Sequence, residues 1–120
     1  MKKLIVDLDG TITLANTSDY ENVLPNIELI TQLQKYKKEG FIIVISTARN
    51  MRTYKGNVGE INIYTLPTIT KWLDKHDVPY DEVLVGKPWC GHDGFYIDDR
   101  AVRPSEFSSM SFEEITALIN

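Results

Sequence analysis

The stretch Lys3-Leu-Ile-Val-Asp-Leu-Asp-Gly-Thr-Ile-Thr13 decides how this chain is read. Leu4, Ile5 and Val6 form a short apolar run with the length of a buried strand. It ends in two carboxylates one residue apart, Asp7 and Asp9, followed at once by Gly10 and Thr11. Side chains at i and i+2 of a strand point to the same side. Two carboxylates so placed repel each other and call for a compensating cation. Gly10 allows a sharp turn away from the strand. Standing alone, the stretch is equally a strand running into an acidic turn, because Asp-Gly is a common turn pair. The rest of the chain separates the two readings.

Outward from this stretch, residues 16–22 are polar and read as loop. Pro25 suits the first turn of a helix. Ile27, Ile30 and Leu33, with Leu29, give that helix an apolar stripe; Lys35, Lys37 and Lys38 suit its last turn and Gly40 its end. Phe41 to Ile45 is apolar at every position, as a central parallel strand is, and leads to Ser46, Thr47, Ala48 and Arg49. Residues 50–64 lack periodicity and read mostly as a loop with a helical turn near Ile61. Its Arg52, Tyr54 and Lys55 are candidates for substrate selection. Thr65 and Pro67 open a second helix burying Ile69, Trp72 and Leu73. Glu82 to Val85 is a third strand ending at Gly86-Lys87-Pro88. Phe95 to Ile97 is a very short fourth strand running into Asp98 and Asp99. Ser111 and Glu114 form a capping-box pattern that opens a last helix reaching Ile119.

The order β-α-β-α-β-β-α predicts an α/β fold, a three-layer Rossmann-like parallel sheet with helices on both faces, in one domain spanning residues 1–120. Ligands of such sheets bind beyond the carboxyl ends of the strands. Each expected strand ends in groups suited to phosphate chemistry: Asp7 and Asp9, Thr47, Lys87, then Asp98 and Asp99.

Bulk composition narrows the partners. With 42% apolar and 25% charged residues the chain has the make-up of a globular protein. Its net charge of −4 and lack of a basic block argue against nucleic acid. The apolar run after Lys2 and Lys3 is broken by Asp7, too soon for a signal segment or a membrane span. The lone cysteine, Cys90, excludes an internal disulfide. These features lead us to expect a cytoplasmic protein.

Carboxylates converging at one sheet edge need a cation among them, and an all-oxygen set favours Mg²⁺. A phosphoryl group bridging to that ion leaves oxygens for Lys87 and the Thr47 hydroxyl. Asp7 is then placed as a carboxylate nucleophile, and Asp9 as the acid that protonates the leaving oxygen and the base that activates water.

Asp7-Leu-Asp9-Gly-Thr11, Thr47-Ala-Arg49, Gly86-Lys87-Pro88 and Asp98-Asp99 resemble, in order, the four motifs of the haloacid dehalogenase superfamily. The resemblance implies a Mg²⁺-dependent phosphatase with Asp7 as nucleophile and Asp9 as general acid/base. It places phosphate binding on Thr47 and Lys87, with Ala48 and Arg49 beside them as substrate contacts; Asn50 could also reach a substrate, and Arg49 could equally pair with an acidic group. Metal ligation is implied for Asp7, Asp9 through its backbone carbonyl, Asp98 and Asp99. Neither the segment after Asp9 nor residues 50–64 is large enough for a folded cap. The chain thus resembles the capless branch, which includes small phosphatases encoded with capsule and lipopolysaccharide genes. By that analogy the expected substrate is a small phosphosugar or sugar-acid phosphate, and the open site suggests a homo-oligomer, a dimer or tetramer. A phosphomutase or phosphotransferase, and a receiver-like phosphoacceptor without turnover, are the competing functions. A receiver places its acidic pair first and its phosphoacceptor on a middle strand, which this motif order does not match.

Overall fold

The computed structural model describes residues 2–120. The chain divides into two compact units, Met1–Trp89 and Cys90–Asn120. The first contains β1 (Lys3–Val6), α1 (Ile27–Lys38), β2 (Ile42–Thr47), α2 (Val58–Tyr64), α3 (Leu66–Lys75) and β3 (Glu82–Val85). The second contains α4 (Pro104–Ser109) and α5 (Phe112–Ile119).

The apolar runs become the strands. They pair in parallel in the order β1-β2-β3. In that register Val6, Ile45 and Val83 share one face, while Ile5, Val44 and Glu82 share the other. β2 is central, and Ile43, Val44 and Ile45 are all buried, as a strand covered on both faces should be. The α1 stripe is buried through Leu29, Ile30 and Leu33, and α3 contributes Ile69, Trp72 and Leu73. Each of these large side chains contributes about 1.5–3 kcal/mol when fully buried. This is the expected α/β class, a small Rossmann-like parallel sheet flanked by helices, with no cap among the described residues.

Several boundaries differ from the sequence reading. α1 begins after Pro25: Asn26 caps it by accepting from the Leu29 N–H at 3.3 Å. Pro25 instead pairs with Thr13 in an isolated bridge. Residues 50–57 are irregular as read, but the turn near Ile61 extends into a helix over Val58–Tyr64. Asn57 starts that helix, accepting from the Glu60 N–H at 3.1 Å while donating to the Glu60 carboxylate at 2.8 Å. The gap between strands two and three is therefore occupied by two successive helices.

In the second unit the expected strand Phe95–Ile97 is not formed, and Ile97 is 89% exposed. A strand needs neighbouring backbone to pair with, and these residues belong to no sheet ladder. α4 was not foreseen; Pro104 at its first position and the Glu106 carboxylate accepting from the Arg103 N–H at 2.8 Å define its start. α5 follows the Ser111–Glu114 capping box as read, with reciprocal bonds of 3.1 and 2.9 Å. Among the described residues, no helix is long and apolar enough to cross a membrane.

Candidate active site

The site grows out of the end of β1. Asp7 continues the extended backbone (φ −69°, ψ 158°), after which the chain makes a wide turn over Leu8–Ile12. Gly10 takes φ +78° in that turn, the left-handed region that favours glycine. The Gly10 N–H donates to the Thr13 hydroxyl at 2.9 Å, and Asn26 donates from its side chain to the Thr11 carbonyl at 3.1 Å. The cap of α1 thus also pins the turn that carries the two carboxylates.

Asp7 is held at both oxygens. Lys87 Nζ lies 3.3 Å from Oδ1, and the Thr11 hydroxyl donates to Oδ2 at 3.0 Å. The carboxylate remains open, with 37% of its side chain exposed. Lys87 reaches it because the Lys87 backbone N–H donates to the Thr47 carbonyl at 3.1 Å, lacing the ends of β2 and β3 together. Gly86 makes that approach feasible: its φ is +89°, and a Cβ there would stand 2.9 Å from a Val58 methyl at the start of α2.

Asp9 faces a different cation. Arg49 donates to it from Nε at 3.1 Å and from Nη2 at 2.7 Å, a two-pronged bridge. Arg49's side chain is only 1% exposed and Asp9's is 18% exposed. The Arg49 N–H also donates to the buried Thr47 hydroxyl at 3.0 Å. Ala48, half-buried between them, accepts from the Met51 N–H through its carbonyl at 3.0 Å.

Tyr20, which was not foreseen, and Asn50, expected as a substrate contact, complete this corner. The Tyr20 ring lies under the Arg49 guanidinium at 4.0 Å, and its hydroxyl donates to Asn50 Oδ1 at 3.2 Å. Asn50, in the left-handed region at φ 62°, donates onward to the buried Thr65 hydroxyl at 2.7 Å. Burial pushes the Tyr20 phenol above its ordinary value; the Asp9 carboxylate adds to this and Arg49 opposes it. Tyr20 sat within a polar loop and gave no sequence signal. Of the expected selectivity residues, Tyr54 stacks on Tyr64 at 5.9 Å and Arg52 lies over the Trp89 ring at 5.9 Å.

The first unit therefore brings Asp7, Thr11 and Lys87 together, and Asp9, Arg49 and Thr47 beside them. Asp98 and Asp99 belong to the second unit, where both are exposed and Asp98 accepts from the Arg100 N–H at 2.9 Å. Among the described residues no group of three or more His, Cys, Asp or Glu side chains is arranged to hold a metal ion. The oxygen donors at the end of β1 have the chemistry Mg²⁺ prefers, but they make only part of a coordination shell.

A family model described as haloacid dehalogenase-like hydrolase matches residues 4–71. The crystal structure of an MCSG target from Vibrio cholerae is 77% identical, the match covering 99% of this chain and 97% of that one with a TM-score of 0.97. A structure of a Pnkp1/Rnl/Hen1 complex is 26% identical over 71% of this chain and 28% of that one, at a TM-score of 0.53. Another, of the Pnkp1/Rnl/Hen1 RNA repair complex, is 22% identical over 78% of this chain and 27% of that one, at 0.52, a likeness of fold alone. Comparison with curated proteins gave no match.

Proposed function

The chain belongs to the haloacid dehalogenase-like hydrolases, and from that premise we propose that it is a phosphomonoester hydrolase working through an aspartyl-phosphate on Asp7. The observation that carries this reading is the setting of Asp7. It is an open carboxylate at a strand end, oriented at one oxygen by Lys87 and at the other by Thr11, with Asp9 two residues on.

In the first step an Asp7 oxygen attacks phosphorus, the new O–P bond forming as the bond to the leaving oxygen breaks. Asp9 gives that oxygen its proton. In the second step Asp9 takes a proton from water, the water oxygen attacks phosphorus, and inorganic phosphate leaves as Asp7 is regenerated. The Lys87 ammonium offsets the charge of the incoming phosphate and stabilises the transferring group. Thr47 uses its oxygen to accept from Arg49, which leaves the hydroxyl proton for a phosphoryl oxygen. Asp7 and the Asp9 carbonyl would hold Mg²⁺, and the motif resemblance alone adds Asp98 and Asp99. When bound, that ion would supply charge neutralisation of the phosphoryl oxygens.

The proposed substrate is a small phosphosugar or sugar-acid phosphate, of the kind used in capsule or lipopolysaccharide synthesis. What favours it over nucleic acid is the net charge of −4. A homo-oligomer, dimer or tetramer, is proposed with it and is tested by light scattering. The deciding assay is phosphate release from phosphosugars, sugar-acid phosphates, nucleotides and RNA carrying terminal phosphates, with Mg²⁺ and with chelator. The RNA tests the expectation, drawn from charge, that nucleic acid is not the substrate. Metal-dependent release from a phosphosugar is expected. Release only from RNA overturns the substrate class, transfer to a second sugar indicates a mutase, and a stable phospho-protein without turnover indicates a receiver.

A further inference from the structure

We propose that Arg49 is a positioning residue for Asp9, holding the proton-transferring carboxylate in place rather than binding substrate; this rests on the phosphatase reading above. Three observations lead there. First, the guanidinium spends Nε and Nη2 on the two oxygens of one carboxylate, a fork geometry that fixes the plane of Asp9 as well as its distance. Second, it is sealed in: the side chain is 1% exposed and the Tyr20 ring covers one face at 4.0 Å. Third, Nη1 is buried with no hydrogen-bond partner among the described residues. A buried donor left unmatched is costly. Its persistence here means that the fork to Asp9 and the stack on Tyr20 fix the orientation of the guanidinium.

The support behind Arg49 is built in the same way. Tyr20 is tied to Asn50, and Asn50 to Thr65 at the start of α3, so the ring under the guanidinium is held from two elements. The main chain of Arg49 is tied to Thr47. Asp9 keeps its exposed edge free of the fork, because each carboxylate oxygen has a second lone pair. The chain thus presents that edge outward in a fixed direction. A substrate could take Nε or Nη2 only by displacing Asp9.

The test uses Arg49→Lys, which keeps the charge but cannot span both oxygens, and Tyr20→Leu, which removes the ring without touching either charge. Both are assayed on an alkyl phosphate, whose leaving group needs a proton, and on 4-nitrophenyl phosphate, whose leaving group does not. The readout is kcat/KM, which covers the steps up to departure of the leaving group. Inorganic phosphate serves as the probe of anion binding, and thermal melting checks the fold.

For Arg49→Lys the expected loss on the alkyl phosphate is at least about 10-fold, part of the ~10²–10⁴ that a general acid supplies. On 4-nitrophenyl phosphate it stays within about 3-fold, and phosphate inhibition within about 2-fold, since neither depends on proton delivery to the leaving oxygen. Tyr20→Leu shows the same pattern at smaller size. Equal losses on both substrates with weakened phosphate binding would make Arg49 a substrate ligand and overturn the proposal. Equal losses with phosphate binding intact, or a collapsed melting temperature in both variants, would make it a structural ion pair and also overturn it. If the unmutated protein turned over nothing, the phosphatase reading would fall by itself. A crystal structure of Arg49→Lys would then still decide the positioning: Asp9 turned from its place supports it, and Asp9 unmoved refutes it.

Discussion

The two units of this chain are built by different physics. Met1–Trp89 has a true interior: Leu33, Ile43, Ile45, Ile61 and Leu73 are fully shielded. Among the described residues of Cys90–Asn120 none is buried, and Phe95 and Ile97 stand exposed. Its two helices rest on signals a few residues long: Pro104 with Glu106, and Ser111 with Glu114. Chemistry follows the same divide. Asp7 and Asp9 are each clamped by a cation and set by packed elements, whereas Asp98 and Asp99 lie on exposed backbone. Geometry is fixed where burial supports it. Where only local caps act, the sequence motif carries the assignment.

The sharpest way to break this comparison is at the clamped carboxylates. Asp7→Asn is expected to lower phosphate release by at least ~10³-fold, since it removes the nucleophile itself. Lys87→Ala should cost about 10²–10³-fold in kcat/KM, the scale of losing one charge-stabilising group. Both are read by phosphate release, and neither should move the melting temperature by more than a few degrees. A comparable loss of folding would make these residues structural.

Next come the interiors. Leu33→Ala should destabilise the protein by about 2–5 kcal/mol, the cost of a cavity in a packed core. Leu118→Ala in α5, where the side chain is half exposed, should cost no more than about 0.5–1 kcal/mol. Urea denaturation measures both, and equal costs would erase the distinction between the units.

The caps are a finer test. Ser111→Ala is expected to weaken α5 by about 1 kcal/mol. Hydrogen exchange should show this as lost protection in α5 with the sheet amides unchanged. Spread of the loss into β2 would mean that the second unit is coupled to the first.

The smallest effects are those of pH, and they run in opposite directions in the two units. The Glu114 carboxyl is held below its ordinary 4.5 by the Ser111 backbone N–H and then by the Ser111 side chain. Its contribution to α5 is therefore present above that value and fades as pH falls through the lowered one. The Tyr20 phenol is raised above its ordinary 10.0. The unfolded chain ionises first, so its contribution is complete below that value and is lost as pH rises through the raised one. Asp9→Asn removes one of the groups holding Tyr20 up and should lower its ionisation, as followed by ultraviolet titration. An unchanged Tyr20 titration would argue that the two groups do not sense each other.

Much of the first unit was legible because its signals are of the kind periodicity detects. Phe41 to Ile45 has the continuous apolar run of a central strand, and Leu29, Ile30 and Leu33 the spacing of a buried helical face. Of the helix at Val58–Tyr64 only a turn near Ile61 is legible, because Gly56 and Gly59 suggest loop; the Asn57–Glu60 cap is the signal that gives its full length. Phe95–Ile97 has the composition of a strand, but composition cannot supply a neighbouring backbone. Within the site, the motif residues were readable by type and order, while their pairing was not. The residues themselves left Arg49 open between substrate and carboxylate, and its bridge to Asp9 across the sheet is a product of folding. Tyr20 was invisible for the same reason: an aromatic in a polar loop acquires meaning only when Asn50 and Arg49 arrive beside it.

The most direct test of the phosphatase account is a single-turnover experiment on Asp9→Asn with 4-nitrophenyl phosphate and Mg²⁺, quenched in acid and followed by peptide mass spectrometry. That variant keeps the nucleophile but lacks the base for the second step. The account predicts one equivalent of nitrophenol released and a phosphoryl group retained on the peptide carrying Asp7. Nitrophenol release with no phosphoryl adduct, or an adduct on a peptide without Asp7, would contradict it.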